Sequence, residues 1–318
     1  METVQKLAGS NIHTILDYSA EGERSEEAFD ANKDEILKSL DNAHGNPNIP
    51  TGVMKLTGFC SFGLLAKKQS GRKFREEQEA RFRKFEKRVE EVCQKAVDRG
   101  KYLFVDAEET WIQDPIDDLV NRMMARHNKE KVFIFNTFQM YRRDSLDHLK
   151  AIHESGKKEG FKIGAKLVRG AYLEKERERA EEMDYPDPIQ PDKASTDQDY
   201  DAAVRYCLEN IDDITLCAGT HNEESSKKIT QWMKEFGIKR DDPRVYLAQL
   251  YGMSDNISYG LAKAGYNVAK YVPYGEVRKV LPYMMRRAEE NTAISGQSSR
   301  ELTLVKKEIA RRRKSKND

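Results

Sequence analysis

Short apolar runs, each bounded by polar or turn-forming residues, recur eight times along the chain. They are IHTILDYS (12–19), GVMKLTG (52–58), KYLFVDAE (101–108), KVFIFNTF (131–138), KIGAKLVRGAY (162–172), DITLCAGTH (213–221), RVYLAQLYG (244–252) and YNVAKYVPYG (266–275). Runs of this length and composition read as strands. Between them the apolar positions step by three and four, the period of a helix with one buried face. Ser25, followed by Glu26 and Glu27, opens such a helix, with Phe29, Ile36 and Leu40 on its stripe. The highly charged segment 72–99 places Phe82, Phe85, Val89, Val92 and Ala96 on one face, and Gly100 ends it. Asp114 and Pro115 read as an N-cap and first-turn proline. Asn222, with Glu223 and Glu224, opens a helix that buries Ile229, Trp232, Met233 and Phe236 and stops at Gly237.

Strand and helix in strict alternation predict a parallel sheet. Eight units predict an α/β fold of the distorted (βα)8 TIM type, closed into a barrel. One barrel domain is expected over 1–318, with 296–318 as a basic C-terminal helix or tail. The proline-rich segment 181–196 reads as a long βα loop after the fifth strand. The last helical unit, 275–292, sets Arg286 and Arg287 side by side and is expected over the barrel mouth.

Composition narrows the function. A length of 318 residues suits one barrel, and 38% hydrophobic with 34% charged residues suits a real core under a charged coat. The net charge of +1 provides no global field for nucleic acid. The basic end, RRRKSKND, predicts a solvated tail able to make weak contact with anionic lipid. Cys60, Cys93, Cys207 and Cys217 form no C-x-x-C pair and no zinc spacing, which predicts a reduced intracellular protein without structural metal. There is no apolar run long enough for a membrane helix and no signal-peptide pattern. P-loop, G-x-G-x-x-G and G-x-S-x-G motifs are absent.

In such barrels chemistry collects at the C-terminal strand ends. Lys55, Asp106, Gln139, Lys166, Arg169, Thr220, His221, Asn222, Gln249, Tyr271 and Tyr274 all fall there. A strand-end aspartate is more often a cap than a catalyst, and a lone histidine is more often structural. A lysine within an apolar strand differs, because an unpaired buried ammonium is costly. Lys55 and Lys166 therefore need anions. With Arg169, Arg286 and Arg287 they make five cations for one mouth, partly offset by Asp106. Paired guanidiniums reaching from adjacent helical positions suit a small carboxylate. Gly170 and Ala171 leave room for a large phosphate-bearing cofactor to approach the backbone.

Six segments in order, DAEET (106–110), KLVRGAYL (166–173), THNEES (220–225), QLYGM (249–253), KYVPYG (270–275) and YMMRRAEEN (283–291), resemble proline dehydrogenase, the FAD-dependent barrel of proline catabolism. The resemblance spans nearly the whole chain. It implies that Lys55, Arg286 and Arg287 clamp the proline carboxylate, with Asp106 paired in the same cluster. Tyr271 and Leu250 would close over the ring, and Glu290 would hold an arginine in place. Lys55, Asp106, Lys166, Tyr271, Arg286 and Arg287 form the implied catalytic set. Non-covalent FAD would rest on Ala107, Gln139, Lys166, Val168, Arg169, Gly170, Ala171, Lys193, Thr196, Thr220, His221, Asn222 and Gln249. Lys166 stands where many bacterial members have arginine near flavin N5.

The implied reaction oxidises L-proline to 1-pyrroline-5-carboxylate, the first step of its degradation to glutamate. A membrane quinone is the implied electron acceptor. The resemblance further implies a cytoplasmic protein peripheral to the inner membrane if bacterial, or on the matrix side if mitochondrial. Neither nucleic acid nor metal is expected. The N-terminal arm and the aldehyde dehydrogenase module of many relatives are expected to be missing. Three other readings remain: a trans-4-hydroxy-L-proline dehydrogenase, which Tyr271 disfavours by bulk, a flavin-free lyase using Lys55 or Lys166, and a proline-binding sensor.

Overall fold

The computed structural model describes residues 2–18, 25–275 and Met285. Eight strands pair in sequence order into a closed barrel: β1 (Ile12–Tyr18), β2 (Thr51–Lys55), β3 (Tyr102–Asp106), β4 (Ile134–Gln139), β5 (Ile163–Val168), β6 (Ile214–Gly219), β7 (Val245–Leu250) and β8 (Val268–Tyr274). Neighbours from β1 to β8 are parallel, as the alternation requires. Helix α1 (Glu2–Ala8) precedes the barrel, and α2 (Glu26–Ala43) follows β1. The others are α3 (Phe62–Gln69), α4 (Glu76–Asp98), α5 (Thr110–His127), α6 (Ser145–Glu159), α7 (Leu173–Glu182), α8 (Lys193–Glu209), α9 (Glu223–Glu235) and α10 (Asp255–Lys263). The fold is thus an α/β barrel of the TIM type. The chain separates into two compact units, Met1–Pro273 and Tyr274–Asp318. Of the second, Tyr274, Gly275 and Met285 are described, so the expected tail 296–318 lies outside the described residues.

Several local expectations need correction. The run 52–58 ends as a strand at Lys55 and turns through a 3-10 segment, Leu56–Gly58. Two helices fill the link from there to β3, and the charged one expected over 72–99 starts at Glu76. Asp114–Pro115 does not open a helix, because α5 begins at Thr110 and carries Pro115 within it. Amides near its start find side chains from elsewhere: Thr110 N–H donates to Glu176 Oε1 (2.8 Å) and Asp114 N–H to Gln69 Oε1 (3.2 Å). The segment 181–196 is only partly loop, since α7 ends at Glu182 and α8 starts at Lys193. Helices α2 and α9 start as expected: Ser25 accepts from Ala28 N–H, and Asn222 accepts from Glu224 and Ser225.

The strand period of two divides each strand between an outer and an inner face. Ile15, Val53, Phe104, Phe135, Cys217, Ala248, Ala269 and Tyr271 form the cluster inside the barrel, with Phe104 edge-on to Phe135 at 4.8 Å. The outer faces pack on the helices. All five stripe residues of α4 are buried, each worth up to about 1.5–3 kcal/mol for a large side chain. Arg88 of α4 reaches Glu26 (2.6 Å), Asp30 (2.7 Å) and the Phe59 carbonyl (3.3 Å), tying α2 to α4 and to the segment after β2. The four thiols are buried, and burial pushes Cys60 and Cys217 up to about 12.

Gly164 of β5 makes space for the ring of Phe135. A Cβ there would stand 2.3 Å from the Ile134 carbonyl oxygen and 2.7 Å from the Phe135 ring. Neither neighbour is the free end of a flexible chain. Gly164→Ala should therefore destabilise the fold by about 3 kcal/mol through overpacking. Urea denaturation measures this, and an unchanged midpoint would contradict it.

Candidate active site

Two residues above Val53, Phe104 and Ala269 on the same strands stand Lys55, Asp106 and Tyr271. The alternation that puts the first three inside the barrel also aims the second three into its mouth. Lys166 occupies the equivalent place on β5, two residues above Gly164. Lys55 and Asp106 are register partners at the end of the β2–β3 ladder. Lys55 Nζ donates to Asp106 Oδ2 at 2.8 Å, and Lys166 crosses from β5 to the other oxygen, Oδ1. The Lys55, Lys166 and Asp106 side chains are 10%, 7% and 11% exposed. Burial alone would raise the Asp106 carboxyl, but the Lys166 and Lys55 ammoniums outweigh it and hold it well below the usual range. Asp106 thus holds both ammoniums at the inner end of the mouth.

Tyr271 supplies the wall beside this cluster. Its ring lies 4.8 Å from Lys166 Nζ, a cation–π contact. Leu250 is its register partner on β7. Lys270, next in the chain, points the other way and is buried. Its ammonium donates to the carbonyls of Met253 (2.5 Å) and Leu250 (3.3 Å) and pairs with Asp255 at 2.8 Å. The same alternation that aims Tyr271 into the mouth turns the adjacent Lys270 to the opposite face.

A second cluster stands over β5 and β6. Arg169 donates to Asp197 (2.5 Å), Thr220 (2.7 Å) and Ser225 (2.9 Å), and lies over the Tyr200 ring at 4.3 Å. Lys193, 74% exposed in its side chain, reaches the other oxygen of Asp197 at 2.5 Å. Lys193 and Thr196 sit in the first turns of α8, with Thr196 Oγ1 donating to the Asp192 carbonyl (3.2 Å). Asn222 caps α9 at the same place. Two cations and a helix N-terminus suit a phosphate-bearing cofactor, which would share Arg169 and Lys193 with Asp197.

Between the clusters the strand ends are locked by hydrogen bonds. Gln139 Nε2 donates to the Glu108 carbonyl (2.8 Å), and Gln139 Oε1 accepts from Ala171 N–H (3.0 Å). Gln249 donates to the Thr220 carbonyl (3.2 Å) and accepts from Ser258 (2.9 Å). His221 Nδ1 meets Ser254 Oγ at 3.0 Å. Ala107 is buried directly after Asp106, and Val168, half-buried, ends β5. Gly170 has φ +146°, and a Cβ there would fall 2.4 Å from the Tyr141 ring, so packing as well as open backbone requires glycine. Arg286, Arg287 and Glu290 lie outside the described residues. Sequence reading passed over Glu108, Asp197, Ser225 and Glu176. The DAEET segment carries the signal for Glu108, which stands two residues after Asp106.

Among the described residues no cluster of three His, Cys, Asp or Glu side chains could hold a metal, and no helix is long and apolar enough to cross a membrane. The family model described as proline dehydrogenase matches residues 1–300. Mitochondrial proline dehydrogenase 1 from Homo sapiens is 41% identical over 248 residues, covering 77% of this chain and 41% of that protein. The chain thus spans about two fifths of that relative's length. The carbapenem antibiotics biosynthesis protein CarD of Pectobacterium carotovorum subsp. carotovorum is 34% identical over 310 residues, covering 98% of this chain and 80% of CarD. In fold, proline utilization A from Bdellovibrio bacteriovorus, inactivated by N-propargylglycine, matches with a TM-score of 0.79 at 21% identity. That match covers 92% of this chain and 31% of the other. The barrel, its buried lysine–aspartate–lysine cluster and these matches agree: the chain belongs to the proline dehydrogenase family.

Proposed function

We propose that this protein oxidises L-proline to 1-pyrroline-5-carboxylate with non-covalent FAD, as the first step of proline degradation, and that a quinone takes the electrons. The observation that carries the reading is the buried Lys55–Asp106–Lys166 cluster under Tyr271, at the inner end of the mouth. When bound, FAD supplies the hydride acceptor.

The protein's own residues bind, orient and exclude water. Lys55, joined in this reading by Arg286 and Arg287, holds the substrate carboxylate, and Glu290 steadies an arginine. Asp106 keeps the Lys55 and Lys166 ammoniums in place, so substrate binding does not have to order them. Tyr271 and Leu250 cover the ring and exclude water. Lys166 places positive charge where negative charge grows during reaction. Arg169, Lys193 and the α9 N-terminus take the cofactor's phosphates. Gln139, Ala171, Thr220, His221, Asn222 and Gln249 position the remainder, beside Ala107, Val168, Gly170 and Thr196. Quinone reduction places the protein at a membrane surface, on the matrix side in a mitochondrion or at the inner membrane in a bacterium.

The test is a visible spectrum of the purified protein before and after L-proline is added without oxygen. A yellow flavin band that bleaches with proline is expected. Protein that stays colourless after FAD is supplied, or a band that proline leaves intact, would overturn the reading.

A further inference from the structure

The β2–β3 ladder ends at the register pair Lys55–Asp106. Two residues further along each chain the two segments are joined again, this time through a side chain. Glu108 Oε1 accepts from Thr57 N–H (2.9 Å), and its two oxygens accept from Thr57 Oγ1 (3.0 and 2.8 Å). Glu108 is 4% exposed and Thr57 8%. The main chain of Glu108 bonds in other directions. Its N–H donates to Gln113 Oε1 (2.7 Å), and its carbonyl accepts from Gln139 Nε2. Gln139 in turn holds Ala171 after β5. Gln113 donates to Asp117 (2.8 Å), which also accepts from Asn136 on β4. One residue therefore faces the β2 end with its carboxyl and the β4 and β5 ends with its backbone.

We propose that Glu108 is a positioning residue for the substrate side of the mouth: its carboxyl anchors Thr57, and so fixes the strand end that presents Lys55 to Asp106. The inference rests on the proline dehydrogenase reading for its kinetic arm alone. Because the cofactor-side bonds come from the Glu108 backbone, side-chain removal separates the two halves of the site. Burial, helped by the neighbouring Glu109 carboxylate, pushes the carboxyl up to about 7 against the Thr57 bonds and Lys55. A neutral amide of the same shape is then a fair replacement. Glutamine can accept the Thr57 N–H and donate to the Thr57 hydroxyl.

Three variants test this: Glu108→Ala, Glu108→Gln and Thr57→Val. In Glu108→Ala, KM for proline should rise about tenfold, the equivalent of one buried hydrogen bond lost, while FAD affinity stays at the wild-type value. Amide hydrogen exchange at Thr57, a readout independent of turnover, should quicken by a similar factor. Glu108→Gln should restore both. Thr57→Val keeps the backbone bond and should raise KM about threefold, without adding to the effect of Glu108→Ala in the double variant. It also carries the test if Glu108→Ala does not fold. An unchanged KM, an equally protected Thr57 amide, or loss of FAD in step with KM would overturn the proposal. If wild-type protein fails to oxidise proline, the functional reading falls, and exchange at Thr57 alone judges the anchor.

Discussion

Asp106→Ala should lower kcat/KM for proline by about a thousandfold and cost about 3–5 kcal/mol of folding stability. The carboxylate is the shared counter-ion of two ammoniums whose side chains are about nine-tenths buried. Alanine removes both ion pairs and takes from the Lys55 and Lys166 ammoniums the carboxylate they share. The penalty is the stranding of desolvated charge, which exceeds the net worth of the pairs when intact. Urea denaturation at neutral pH gives the stability term and steady-state kinetics the other. The loss should depend on pH in a defined sense. Asp106 titrates lower folded than unfolded, so its stabilisation is present above its unfolded value of about 3.9 and fades as pH falls through the folded one. Wild type and variant should therefore converge in stability as the solution becomes strongly acidic. Equal midpoints at neutral pH would mean that the three side chains are more hydrated than their burial indicates.

Lys166→Met should reverse the relation between activity and stability. Activity should fall about 10²–10³-fold, while stability stays within about 1 kcal/mol of wild type or rises. Lys166 sits between Asp106 and the rings of Phe104 (5.8 Å) and Tyr271 (4.8 Å). A thioether of similar volume packs well against both rings. Asp106 keeps Lys55 at 2.8 Å, so the carboxylate retains a counter-ion. What disappears is a positive charge that the proposed chemistry uses and folding does not need. Thermal denaturation separates the two when set beside the proline-dependent flavin reduction that the proposed function expects. A loss of stability as large as that expected for Asp106→Ala would show that the lysine holds the barrel together.

All eight strands were legible in the sequence because each is a compact apolar run. The period of two then carried Lys55, Asp106, Lys166 and Tyr271 to one end and one face. What escaped depends on partners far away in the chain. The start of α5 at Thr110 is supported by Glu176, and Gln69 accepts an N–H within it. Local reading saw only Asp114–Pro115 and placed the start too late. The segment after β5 looked like loop because of its prolines, yet Lys193 and Thr196 are helical behind the Asp192 cap. Glu108 escaped because a carboxylate that binds a neighbouring backbone has the same local sequence as one in water. Arg169 was expected to face a cofactor. That it is already braced by Asp197, Thr220, Ser225 and Tyr200 followed from no motif.

The Lys270 ammonium joins β8 to the end of β7, the turn after it and the start of α10 through oxygens of Leu250, Met253 and Asp255. Leu250 and Tyr271, side by side across that joint, form a single stiff panel rather than two independently adjustable side chains. If the proposed activity holds, trimming one of them to admit bulkier cyclic amines would leave the outline of the panel nearly unchanged. Laboratory evolution toward such compounds should instead collect paired changes, one at the panel and one at the fastening behind it.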